Sequence, residues 1–325
     1  MNTMPTLLWS IAATIALLAM TLPVPIASAQ NFPVKPVRMV VSGVAGSSNI
    51  TARLIAPGLS DLLGQQVVVD GREGGVVVSD LVAKAQPDGY TLLLNGSAMW
   101  LLPYMRSNVP YDPVRDFAPV TLAVSAPNIL VVHPTVAAKS VKELIAIAKT
   151  RPGELNCATG NAGTSNHLAA ELFKAMTGTM IVRIPYKGAA PAITDLLGGQ
   201  VQLMFASASS VTAHIKSGKL RALGVSSLQP SALAPGLATI AASGVPGYES
   251  VAIFGILAPA KTPASVVHKL SQGIVRVLNT ADVKDRFFSA GSEIVGSTPE
   301  QFGTAIKAEM SRMGKVIKDA GIRDE

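Results

Sequence analysis

The chain reads as an α/β protein in which a mostly parallel sheet carries helices on its faces. Three observations predict this. Short apolar runs alternate with amphipathic segments of helical length along the chain after residue 30. Ala, Val, Leu and Gly are abundant and only 5% of residues are aromatic, as suits buried parallel strands. The same unit also recurs: an apolar strand, a short polar turn containing glycine, then a helix start.

Residues 1–30 contain no Asp, Glu, Lys or Arg. An apolar run over 7–22 is followed by Pro23, Pro25 and the small-residue site Ala27-Ser28-Ala29, the pattern of a secretory signal peptide cleaved after Ala29. The run is shorter than the ~20 residues a membrane span needs, so no lasting anchor is expected. In VRMVVSGVAGSSNITARL a strand opens into Gly43, Gly46, Ser47, Ser48 and Asn49, with Asn49 as the expected N-cap of a helix stopping at Gly64. A strand over 67–70 and a helix over 79–85 follow, ended by the turn Pro87-Asp88-Gly89. The strand over 90–94 opens into Asn95, Gly96, Ser97 and Ala98. Residues 103–119 read as surface chain and 128–133 as an extended apolar segment.

Ser140-Val141-Lys142-Glu143 is a capping box, and the helix it starts ends at Arg151-Pro152-Gly153. The next unit, LNCATGNAGTSNHLAAELFK, runs from a strand through Gly160, Asn161, Ala162 and Gly163 into a helix capped by Thr164 or Ser165. A third unit places Tyr186, Lys187 and Gly188 before a helix over 189–197. A strand over 201–207, a short helix over 213–217 and a strand over 220–225 precede a Pro/Ser/Ala-rich connection. A strand over 252–259 then leads to two terminal helices. Thr262-Pro263 starts the first, over 264–278, and Thr298-Pro299 starts the second, over 301–320.

Backbone N–H groups at a helix start are unpaired and lie at the positive end of the dipole, so each such turn can seat a carboxylate or phosphate. These turns offer Asn, Ser, Thr, Gly and Tyr but almost no acid or histidine. Neutral donors hold an anion without moving protons, which points to a binding protein. His133, His167, His214 and His268 are dispersed without metal-ligand spacing, and His167, in a helix first turn, fits a capping or structural role better than a catalytic one. No nucleophile elbow, Walker loop or dinucleotide fingerprint occurs, so no catalytic residue, metal or cofactor is expected. The net charge of +7 is spread along the chain without a Lys/Arg cluster interleaved with aromatics, which disfavours nucleic acid. The single cysteine, Cys157, fits a small buried hydrophobe.

The strings PDGYTLLL, NVPYDPVRDFAPV, GNAGTSNHLAAELFK, IPYKGAAPAITDLLGGQVQLMF and FGILAPAKTP, among others, run collinearly through the chain. In these it resembles the substrate-binding proteins of tripartite tricarboxylate transporters, the Bug receptors. The resemblance implies a type II periplasmic-binding-protein fold, two α/β lobes around a ligand cleft joined by two crossing segments. The crossings would be NILVVH and AIFGILAP, the first lobe 30–127 plus 251–325, and the second 128–250. It implies capture of a small carboxylate in the periplasm and delivery to membrane permease subunits. Delivery to a sensor kinase, an enzyme on the same fold, and a diverged receptor without a small ligand are the alternatives.

The candidate ligand contacts are Ser47, Ser48, Asn49, Ser97, Asn161, Gly163, Thr164, Ser165, Tyr186, Lys187 and Ser207. Two departures from the family stand out. Asn49 replaces an acid at the end of a shortened turn, and Ala206-Ser207 stands where Asp-Asn is usual. Loss of that acid argues against a ligand ammonium.

Overall fold

A computed structural model describes residues 32–43 and 47–323; the signal-peptide expectation lies outside them. Ten strands form one continuous sheet. The first half has β1 (Val37–Ser42), β2 (Val67–Arg72) and β3 (Thr91–Gly96), which run parallel. The second has β5 (Asn156–Thr159), β6 (Val182–Pro185) and β7 (Leu203–Ser207), also parallel. Between them lie β4 (Phe117–Val132) and β9 (Val251–Pro259), antiparallel to each other and to their outer neighbours. With β8 (Arg221–Val225) and β10 (Glu293–Ile294) also antiparallel to β4, the sheet is mixed and not mostly parallel as expected.

β4 is the strand common to both halves. Phe117 to Pro127 pairs with β9, whereas Asn128 to Val132 pairs with β7. At this change of partner Ser226 binds both passing chains. Its hydroxyl accepts from the Asn128 N–H at 2.8 Å and donates to the Ser250 carbonyl at 2.6 Å. Its own N–H donates to the Asn128 carbonyl and its carbonyl accepts from the Ser250 N–H. The expected extended segment NILVVH is therefore only the last part of a 16-residue strand.

Ten helices cover the faces among the described residues: α1 (Ser47–Leu63), α2 (Gly75–Ala83), α3 (Ser97–Met105), α4 (Val141–Thr150), α5 (Ser165–Thr177), α6 (Ala189–Leu197), α7 (Ala208–Lys216), α8 (Ala264–Leu278), α9 (Ala281–Ser289) and α10 (Pro299–Asp319). Several starts were legible. Ser140 accepts from the Glu143 N–H, and Thr298 forms a full capping box with Gln301. In α8, Val266, Val267, Leu270, Ile274, Val277 and Leu278 are buried. At roughly 1.5–3 kcal/mol for each fully buried side chain, this packing outweighs the marginal stability of an isolated helix of that length.

Other expectations need correction. The N-cap of α8 is Pro263; the Thr262 hydroxyl instead donates to the Pro259 carbonyl at 2.7 Å. Three helices follow β9, because α9 was not foreseen. The stretch read as surface chain holds the end of α3, with Pro103 inside it, and buries Tyr111 and Phe117. The driving residue is Trp100, fully buried and packed edge-on against Phe302 of α10. α1 starts two residues before Asn49, which is buried. Its amide donates to the Gly43 carbonyl and accepts from the Arg53 Nε, so it braces the turn instead of capping the helix.

One apolar core runs through both halves, joining Val40, Leu93, Trp100 and Phe302 to Leu130, Phe173 and Phe205. Two further cores lie under the outer helices, one in each half. Cys157 is 1% exposed in the continuous core. Burial, then the nearby Glu171 charge, pushes its thiol up to about 12, so it carries a proton at neutral pH. A disulfide-exchange reagent is expected to label it only as fast as the protein unfolds. Stoichiometric labelling within seconds in native buffer would contradict this placement.

Candidate functional site

A cavity of about 320 Å³ lies between the two halves. Its first wall comes from the carboxyl ends of β1 and β3 and the helices that follow: Ser42, Ser48, and Asn95 to Ala98. The opposite wall is the turn into α5, with Gly163, Thr164, Ser165 and Leu168. Ser250, Val251, Ala252 and Phe254 line it where the chain enters β9, and Glu309, Arg312 and Met313 reach it from α10. Ligands of open α/β sheets sit off the carboxyl ends of strands for this reason: chain turns there leave polar groups unpaired.

The starts of α1, α3 and α5 thus meet at one space. Each brings the positive end of a helix dipole. The α5 turn is held rigidly from behind. Arg183 donates from Nε to the Thr159 hydroxyl at 2.9 Å and from Nη2 to the Gly160 carbonyl at 3.0 Å. The Asn166 amide oxygen accepts from the Gly160 N–H at 3.1 Å. His167 is buried, and its Nδ1 accepts from the Gly163 N–H at 3.2 Å, so this histidine is a structural staple. Gly163 has φ 76°, and a Cβ there would stand 2.7 Å from the Met105 sulfur of α3. Only glycine combines that left-handed backbone with so close an approach.

Five expected contacts therefore come together: Ser48, Ser97, Gly163, Thr164 and Ser165 all line the cavity. The remaining six stand outside its lining. Ser47 begins α1 without lining the cavity, and Asn49 is the buried brace described above. Asn161 is exposed, its carbonyl accepting from the Thr164 N–H and lying 2.7 Å from the Thr164 hydroxyl. Tyr186 donates its hydroxyl to Asp195 Oδ2 at 2.8 Å. Desolvation, then that hydrogen bond and the Asp195 charge, push its phenol up to about 12. Lys187 is exposed beside it. Ser207 is the N-cap position of α7, with its hydroxyl 2.9 Å from that of Ser210. Ala206 is 1% exposed in the core of the second half, so its side chain is not part of the cavity wall.

The two ionisable residues of the lining, Glu309 and Arg312, were not foreseen. Glu309 is buried, and its Oε2 accepts from the Trp100 indole N–H at 2.7 Å. Burial holds its carboxyl above the ordinary range, against the pull of Trp100, Ser97 and Arg312. Arg312 Nη1 lies 2.8 Å from Glu249 Oε2. The signal in the sequence is the i, i+3 spacing of an acid and a base on a strongly capped terminal helix. That spacing by itself describes a solvated face.

Among the described residues no group of three or more His, Cys, Asp or Glu could hold a metal ion, and no helix is long and apolar enough to cross a membrane. Two lobes joined by crossing strands, with a cavity of hydroxyls and helix starts between them, define a solute-binding protein. The chain belongs to the tripartite tricarboxylate transporter family of receptors, whose family model, described as "Tripartite tricarboxylate transporter family receptor", matches residues 51–322. It is therefore a binding protein and not an enzyme.

Protein BugT of Bordetella pertussis is 38% identical over 302 residues, covering 91% of this chain and 92% of BugT. A solved structure of R. palustris Rpa4515 with adipate is 34% identical with TM-score 0.73, covering 90% of this chain and 99% of that one. MatC from Rhodopseudomonas palustris, with bound malate, is 26% identical with TM-score 0.70, covering 88% of this chain and all of that one.

Proposed function

We propose that this chain is a periplasmic receptor that captures a small carboxylate anion and presents it to the membrane permease subunits of a tripartite transporter. The observation that carries the reading is the cavity itself, where three helix starts, six hydroxyl side chains and Arg312 face one space. Neutral donors and a guanidinium stabilise a carboxylate by charge-assisted hydrogen bonds and leave its protonation unchanged. Relatives solved with adipate and malate support the ligand class. The apolar run over 7–22 and the Ala27-Ser28-Ala29 site support export.

Residues 30–127 with 251–325 form the first lobe in this reading, and 128–250 the second. The change of strand partner at Asn128 supports the first boundary. Ser48, Ser97, Gly163, Thr164 and Ser165 are the contacts that the cavity supports.

Preference for a carboxylate without an ammonium group now rests on Glu309, because Ala206 lies in the core. Burial holds the Glu309 carboxyl above its ordinary range and its Oε2 already accepts from the Trp100 indole, so it is a poor counter-charge for an ammonium, and burying an unpaired ammonium costs several kcal/mol. Succinate is therefore expected to bind at least about tenfold more tightly than aspartate at neutral pH, a difference of ~1.4 kcal/mol. Calorimetric titration of both ligands into the mature protein measures it. Tighter binding of aspartate would overturn the preference, and failure of succinate, adipate and malate alike would overturn the ligand class.

A further inference from the structure

We propose that Arg312 is the specificity-determining residue of the cleft, holding a ligand carboxylate by exchanging it for the internal carboxylate of Glu249. The proposal rests on the reading of the chain as a carboxylate receptor and names the residue that recognises the anion.

Among the described residues, Arg312 is the single cation in the lining of the central cavity. Its side chain is 33% exposed and lines the space that an incoming anion would enter. Its neighbours leave it under-used. Nη1 donates to Glu249, while Nε is buried and has no partner among the described residues. A guanidinium carries five N–H donors in a planar fork suited to a carboxylate. Glu309, one turn earlier on α10, feels its charge but makes no ion pair with it among the described residues, and the Glu309 carboxyl is turned to the Trp100 indole.

Arg312 and Glu309 also line an adjoining cavity of about 410 Å³, which Glu249 lines as well. The guanidinium therefore stands in the wall between two spaces. Glu249 holds it from one side, and the helix starts that suit an anion face the other. Glu249 immediately precedes Ser250, whose carbonyl accepts from Ser226 at the crossing between the halves. Exchange of Glu249 for a ligand carboxylate consequently takes place beside the point where the two halves join.

The exchange predicts opposite signs for two substitutions, which a purely structural ion pair does not. Succinate and adipate are titrated calorimetrically into the mature wild type, Arg312→Gln, Arg312→Lys and Glu249→Gln, with thermal melts establishing that each is folded. Arg312→Gln is expected to weaken binding at least tenfold. Arg312→Lys should fall between, because lysine keeps the charge and loses the fork. Glu249→Gln is expected to strengthen binding severalfold, since the guanidinium then has no internal anion to release.

Arg312→Gln within twofold of wild type would overturn the assignment, as would Glu249→Gln weakening binding as much as Arg312→Gln. If the wild type binds and the variants match it, the receptor reading stands and this assignment alone falls. If the folded wild type binds neither these two ligands nor malate, both fall. If Arg312→Gln does not fold, the sign of the Glu249→Gln effect decides.

Discussion

Ser226→Ala is expected to destabilise the protein by about 2–4 kcal/mol, because the change leaves two buried backbone groups without partners. Ser226 is fully buried. Its hydroxyl is the acceptor for the Asn128 N–H and the donor to the Ser250 carbonyl, one on each chain that passes between the halves. No other side chain is hydrogen-bonded to either group among the described residues. Alanine removes one oxygen, and each buried orphan costs roughly 1–3 kcal/mol. Denaturant unfolding with an unchanged slope checks the loss. The same variant tests the coupling of the halves, because both crossings relax together. A midpoint equal to wild type would mean that water or a shifted backbone replaces the hydroxyl without cost.

Gly255→Ala is expected to cost about 3 kcal/mol and to displace α10 from β9. Gly255 has an ordinary strand conformation, so the constraint is space and not backbone angle. An added Cβ would lie 2.2 Å from the Phe302 ring, with two further ring atoms within 2.9 Å. Phe302 is fully buried and stacked edge-on with Trp100, so it has little room to yield. Overpacking of this kind typically costs 1–3 kcal/mol, and a rigid aromatic lies at the upper end. The displacement carries a functional consequence, since α10 bears Glu309 and Arg312 into the cavity. Ligand affinity should therefore fall with stability. The compensating variant Gly255→Ala with Phe302→Leu should recover part of the lost stability, and no recovery would place the strain elsewhere.

Short-range features were legible from the sequence because their physics is local. The helix caps at Ser140 and Thr298, the apolar strands and the turns at their carboxyl ends each depend on residues a few positions apart. Those turns also suggested the anion site proposed above, and the collinear strings pointed to the family. Trp100 and its helix were missed because Pro103 and the surrounding turn residues outweighed a short apolar run, whereas burial against α10 decided its state.

Which turns share the cavity depends on strand order. β6 lies at the far edge of the sheet, so Tyr186 and Lys187 at its end are carried away from the central strand β9, whose start lines the cavity. β1, β3 and β5 lie closer to β4 and β9, and the turns that follow them converge. Glu309 meets Trp100 across 209 positions of sequence, because α10 returns to the first half after the chain has crossed twice. The sequence by itself determined the helix starts at Ser140 and Thr298 and the neutral chemistry of the turns. Only the tertiary structure decided which turns meet and that a buried acid and a half-engaged arginine join them, because strand order and helix return are long-range packing outcomes.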